Sequence, residues 1–250
     1  MNITITPDEQ SFDEAAARRI IGQIVSKKDS VICLSTGRTT GNMHRRIVEI
    51  YRDSAFDTSE VTITGVDEVV NVPKDYSGAC YTMLRNEIAE GLEIKDENFI
   101  MLPTISDDFE KECTCFMKEL ERRGGIDLLI LGLGENGHLG FNQPGTSFGS
   151  TARVTEMNAE LEERIRRETK TPPEVWLGGV TLGLKDIMQA KKIILVAKGN
   201  GKAESVRKMI EGPLTEEHPA SILRLHPDCE YLLDKAAASK LYTQKPDPIL

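Results

Sequence analysis

Apolar positions in residues 12–27 recur at helical spacing: Phe12, Ala15, Ala16, Ile20, Ile21, Ile24 and Val25 share one face of a helix with 3.6 residues per turn. The pattern then changes. Val31-Ile-Cys-Leu34 is a short continuous apolar run, read as a buried strand, and it enters the tight turn Ser35-Thr36-Gly37 before helical periodicity returns from Met43 to Tyr51. Further buried strands are predicted at Val61–Val66, ending on Asp67-Glu68, and at Ile126–Leu131, ending on Gly132-Leu-Gly134. Another spans Lys192–Ala197, followed by Lys198-Gly-Asn-Gly-Lys202 and a helix through Met209, and a short last one spans Cys229–Leu233.

Strands alternating with helices predict an α/β fold: a single domain over residues 1–250 with an open, mostly parallel, Rossmann-like sheet carrying helices on both faces. In such sheets ligands bind beyond the carboxyl ends of the strands, where loops and helix N-termini converge. Four of these ends carry polar turns. Residues 153–177 are highly charged until Pro172-Pro173 breaks the pattern, and they read as a possible helical flap.

Composition narrows the function. With 39% apolar residues the chain can bury one substantial core. A formal charge of −9 without a Lys/Arg block argues against nucleic acid or an anionic membrane as partner, and no apolar run approaches the roughly 18–20 residues that cross a bilayer. Five cysteines without CxxC spacing or a signal peptide suit a reducing cytoplasm. A small anionic ligand is compatible with this balance where positive groups gather locally.

The turn Ser35-Thr36-Gly37-Arg38-Thr39 lies between a strand and a helix, where free N–H groups and the helix dipole attract phosphate. It lacks P-loop spacing; alone, such a Ser/Thr/Gly turn is more often merely a turn. Gly132-Leu-Gly-Glu-Asn-Gly137 fits GxGxxG, yet His138-Leu-Gly-Phe-Asn-Gln-Pro144 closes a loop where a dinucleotide site needs a helix. The glycines, Gly134 among them, therefore read as room for backbone to approach a sugar. His138, hanging in that loop, has the chemistry to move protons near neutral pH. His44, His218 and His226 have no comparable setting, and no spacing suggests a metal site. Asp67 and Glu68 are strand neighbours that point to opposite faces, so one can serve a pocket as a proton-abstracting base while the other caps or pairs structurally. Lys202 can place an ammonium near a phosphate or simply be solvated.

Together, Leu34-Ser-Thr-Gly-Arg-Thr39, Val66-Asp-Glu68, Gly132-Leu-Gly-Glu-Asn-Gly-His-Leu-Gly-Phe-Asn-Gln-Pro144, Thr181-Leu-Gly183, Gly201-Lys-Ala203 and Leu225-His-Pro227 resemble the glucosamine-6-phosphate deaminase/isomerase family, whose superfamily includes the 6-phosphogluconolactonases. The resemblance implies a sugar-phosphate isomerase type of fold acting on a phosphorylated amino sugar without metal or cofactor. It implies Asp67 as the base at sugar C2, His138 as the ring-opening group, and Thr36–Thr39 with Lys202 as the phosphate site. A flap arginine joins them: Arg166 by gap-free counting from Thr181, with Arg164 and Arg167 adjacent.

Two positions depart from the family pattern GxDGHxxFNEP. Asn136 and Gln143 stand where it has carboxylates, and an amide cannot stabilise an imidazolium by charge. The NGHLG variant and Gly179–Asp186 resemble the galactosamine-6-phosphate isomerase branch. A lactonase is the alternative enzyme, although those proteins are expected to continue GHTASLFP after the histidine. A sugar-phosphate sensor with weakened catalysis is the alternative of another class. A homo-oligomer is possible; of the effector-type residues Arg153 fits and Thr155 does not.

Overall fold

The computed structural model describes residues 1–73 and 75–242. Seven strands form a sheet in the order β1 (Asn2–Thr6), β10 (Cys229–Asp234), β9 (Lys192–Ala197), β6 (Leu128–Gly132), β2 (Val31–Leu34), β3 (Thr62–Gly65) and β5 (Phe99–Ile100). Every pairing in it is parallel. From β2 the chain builds outward to β3 and β5, then returns to lay β6 on the other side of β2. The order of strands therefore reverses between β2 and β6, which is where open α/β sheets bind ligands.

Strand alternation divides the core into two layers. In β6 Leu128 and Ile130 pack with α1 (Glu9–Ser26) and α2 (Gly41–Ser54), through Phe12, Ile20, Ile24 and Ile47. Leu129 and Leu131 face the other way, onto Phe116 and Leu120 of α4 (Phe109–Arg122) and Val206 and Met209 of α6 (Ala203–Glu211). Burial on both faces explains why these strands read as unbroken apolar runs. α1 starts where Asp8 accepts a hydrogen bond from the Ser11 N–H at 2.7 Å, an N-cap that sets its first turn ahead of Phe12.

The structure corrects the reading of residues 61–70. Asp67 does not end the strand: β3 stops at Gly65, and Asp67 opens β4 (Asp67–Val70). β4 belongs to a second, antiparallel sheet, β4-β8-β7, with β8 at Gly178–Thr181 and β7 at Arg153–Thr155. Val66 joins the two sheets, donating its N–H to Leu34 O at 3.2 Å and accepting from the Leu182 N–H at 2.9 Å. The segment 153–177 holds β7 and α5 (Ala159–Thr169), the latter anchored by the buried Ile165. α3 (Cys80–Leu84) continues into one π-helical turn at Arg85–Ala89. Among the described residues no helix is long and apolar enough to cross a membrane, and no His/Cys/Asp/Glu group could hold a metal ion.

Candidate active site

Four loops meet across the neighbouring strands β9, β6, β2 and β3 and enclose a cleft of about 470 Å³. Ser35, Thr36, Gly37, Arg38 and Thr39 line it, with Asp67, Gly134, Glu135, His138, Gly140, Lys198 and Lys202. The sheet thus brings Asp67 and His138 to one cavity with the anion turn.

The turn after β2 is built to leave N–H groups free. Thr40 and Gly41 donate back to Gly37 O, both at 3.2 Å, while the N–H groups of residues 36–39 have no partner among the described residues. Gly37 sits at φ +126°, a conformation that suits glycine. Ser35 serves the loop itself, accepting from the Gly132 N–H at 3.1 Å. Lys202 supplies positive charge from across the cleft. Burial lowers its pKa, Glu135 opposes that shift and Arg38 adds to it, so removal from water leaves it ready for an anionic partner.

Strand alternation separates the two acids. Asp67 faces the cleft; Glu68, fully buried, grips backbone. Its Oε1 accepts from Val69 N–H at 2.7 Å and Cys80 N–H at 2.8 Å, and its Oε2 from Tyr81 N–H at 2.6 Å. Desolvation pushes Asp67 up to about 6, opposed by a hydrogen bond from Cys80. A carboxylate so poised can both take and return a proton near neutral pH. Gly140, at φ +56°, lets the histidine loop approach it: a Cβ there would lie 2.8 Å from Thr181 Oγ1 and 3.3 Å from Asp67 Oδ2.

Asn136 fixes the tautomer of His138. Its Oδ1 accepts from the His138 backbone N–H at 3.2 Å and lies 2.7 Å from Nδ1. A backbone N–H only donates, so the atom facing it is the amide oxygen; Nδ1 must then carry the proton and Nε2 a free lone pair. Asn136 Nδ2 in turn donates to Gln143 Oε1 at 3.1 Å. The two amides keep the orienting chain but supply no charge. Burial lowers the His138 pKa, Lys202 lowers it further, and Glu135 opposes both. The ring packs against Gly134, where a Cβ would come within 2.3 Å of Nδ1.

Arg166 is not brought to this cleft. Its guanidinium donates to Pro172 O at 2.5 Å and Val175 O at 3.2 Å, and pairs with Glu162 at 2.7 Å, which closes the end of α5. Arg153 is likewise engaged, donating to Asn142 Oδ1 at 3.0 Å. Sequence reasoning passed over Lys198, Glu135, Gly140 and Cys80. Lys198 follows a strand end just as Lys202 does, and that was its available signal; its ammonium pairs with Asp13 at 3.1 Å.

A parallel α/β sheet whose switch point carries a cleft lined by a buried carboxylate, an oriented imidazole and a turn of free N–H groups has the layout of a ligand-binding α/β protein. Residues 7–231 match the family described as glucosamine-6-phosphate isomerases/6-phosphogluconolactonase, and the chain belongs to it. It is 36% identical over 239 residues, 96% of the chain and 94% of the relative, to a glucosamine-6-phosphate deaminase of Thermoanaerobacter pseudethanolicus. A glucosamine-6-phosphate deaminase of Clostridium botulinum is 37% identical over 242 residues, covering 96% of this chain and 99% of its own. Among solved structures, a monomeric glucosamine-6-phosphate deaminase superposes with a TM-score of 0.89 at 30% identity, covering 96% of this chain and all of the other.

Proposed function

We propose that this protein is a hexosamine-6-phosphate deaminase that converts glucosamine 6-phosphate to the ketohexose 6-phosphate and ammonia. The observation that carries the reading is that Asp67, His138 and the anion turn line one cleft, in a chain whose near-full-length relatives are named for this activity. Those relatives carry the gluco name, so glucosamine 6-phosphate is placed ahead of the galacto epimer, and the galactosamine branch expected from the NGHLG variant finds no support in them.

The phosphate is held by the N–H groups of residues 36–39 and by Lys202, with the sugar lying over Gly134. Nε2 of His138 accepts the anomeric hydroxyl proton and returns it to the ring oxygen, which opens the ring. Asp67 then removes the proton from C2 while one proton of the substrate ammonium passes to O1, giving the enolamine, and Asp67 delivers the C2 proton to C1. The resulting C2 imine adds one water and releases ammonia, leaving the ketose. No redox step is involved. The imidazolium formed in ring opening gets no charge support from Asn136 or Gln143; Glu135 supplies the nearby negative charge. The five cysteines are free thiols, which supports a reducing cytoplasmic location.

A well-placed proton-transfer group contributes roughly 100- to 10,000-fold in rate, so Asp67→Asn is expected to lower ammonia release from glucosamine 6-phosphate by that factor without loss of fold. Undiminished turnover by this variant would overturn the assignment. Substrate binding in a thermal-shift titration with no ammonia released by the wild type would instead support the sugar-phosphate sensor, and hydrolysis of a phosphorylated lactone by the wild type would support the lactonase.

A further inference from the structure

One polar side chain packed behind Asp67 has no part in the chemistry above. Cys80 opens α3 and is 6% exposed. Its Sγ lies 3.2 Å from Thr36 Oγ1 in the anion turn and 3.7 Å from Asp67 Oδ1, both within reach of a thiol hydrogen bond. Among the described residues no other side chain donates to the Asp67 carboxylate. The backbone that carries the thiol is anchored, because Glu68 holds the Cys80 and Tyr81 N–H groups at 2.8 and 2.6 Å. Two neighbouring acids therefore act on one turn of backbone: Glu68 fixes α3 from beneath, and Asp67 meets the thiol that α3 carries.

The direction of the hydrogen bonds follows from the inventory of protons. An ionised carboxylate only accepts, so the thiol proton points to Asp67 and Sγ is left to accept from the Thr36 hydroxyl. We propose that Cys80 is a positioning residue for the proton-transfer carboxylate: its thiol fixes the rotation of Asp67 and stabilises its ionised form, and links it to the phosphate turn through Thr36. This role rests on the deaminase reading above. Burial drives the thiol pKa well upward, so Cys80 stays protonated and serves as a donor. The other titratable groups beside Asp67 are Glu68 on β4 and Cys33 on β2, and Glu9, Arg38, Glu135, His138, Lys198 and Lys202 line the same cleft; none of them donates a hydrogen bond to Asp67.

The test uses two variants and two readouts. In protein labelled with 13C at the aspartate carboxyls, Asp67→Asn identifies the resonance, and its titration is followed in wild type, Cys80→Ala and Cys80→Ser. Loss of this donor is expected to raise the Asp67 midpoint by roughly half a pH unit in Cys80→Ala, while the hydroxyl of Cys80→Ser returns it close to wild type. The acid limb of kcat for ammonia release is expected to move with it. An unmoved or lowered midpoint in Cys80→Ala would overturn the proposal, as would Cys80→Ser displaced as far as Cys80→Ala. Should Cys80→Ala fail to fold, Cys80→Val fills the space without a donor, and the same upward shift is required of it. Were wild type to release no ammonia, the deaminase reading would fail while the 13C titration still decided the role of Cys80.

Discussion

Asn136→Asp tests the amide chain behind His138. The Asn136 oxygen is 2.7 Å from Nδ1, so the substitution places a unit charge about 4 Å from the centre of the imidazolium, worth roughly 4 kcal/mol at an effective dielectric of 20. Asn136 is exposed, and screening by solvent removes half of this or more. At about 1.4 kcal/mol per unit, the His138 midpoint should rise by roughly one unit. The geometry permits it: the new carboxylate accepts from both the His138 N–H and Nδ1–H, and Gln143 turns its amide to donate. His138 starts below 6.5, so the imidazolium is the minority form at pH 7; a one-unit rise brings the two forms toward balance. Two-dimensional NMR of the imidazole rings reads this directly, with His138→Gln for assignment and His44, His218 and His226 as internal references. A midpoint that moves less than about 0.3 unit, or falls, would refute the account of Asn136 as the residue setting tautomer and charge. Adding Gln143→Glu should then speed ring opening at neutral pH, read as faster ammonia release.

Lys202→Met keeps the chain length and removes the ammonium; with a charge-assisted contact worth about 1.5–3 kcal/mol, KM for the phosphorylated substrate should rise roughly 10- to 100-fold, with little change in kcat, in steady-state assays. Glu68 is pushed up to about 7 by burial, against the pull of its three N–H donors. Between its ordinary 4.5 and about 7 the native state therefore keeps a proton that the unfolded chain has lost. Its contribution to stability is complete below about 4.5 and is lost as pH rises through 7. Urea midpoints measured from pH 5 to 8 should decline in the wild type, and Glu68→Gln should flatten that decline.

The parts of the fold that sequence revealed are those buried on both faces. β2, β6 and β9 are continuous apolar runs because helices cover each side of them, and α1 showed its stripe for the same reason. The small antiparallel sheet stayed hidden: β4 follows β3 with one residue between and opens on two acids, so Asp67-Glu68 read as the polar end of the preceding strand, and β8 is led by two glycines that no strand propensity favours. Those glycines are required by packing, since a Cβ at Gly179 would enter the Phe141 ring at 2.4 Å. Within the site, residues at strand ends were legible because topology alone sends them to one edge. Counting along a charged helix did not show that Arg166 lies away from the cleft: its guanidinium turns to the carbonyls of Pro172 and Val175, which carry no sequence signature, and to Glu162 one turn earlier. Cys80 was read only in the cysteine count; nothing in a lone cysteine shows that it will lie against a carboxylate 13 residues away.

The single-residue joint at Val66 has a further consequence. Because side chains alternate along a strand, inserting or deleting one residue there would exchange the destinations of the two acids that follow, burying Asp67 among backbone amides and sending Glu68 into the cavity. Composition, length and apolar content would scarcely change, yet chemistry and the seat of α3 would be lost together. At this point the protein's activity depends on the parity of its chain.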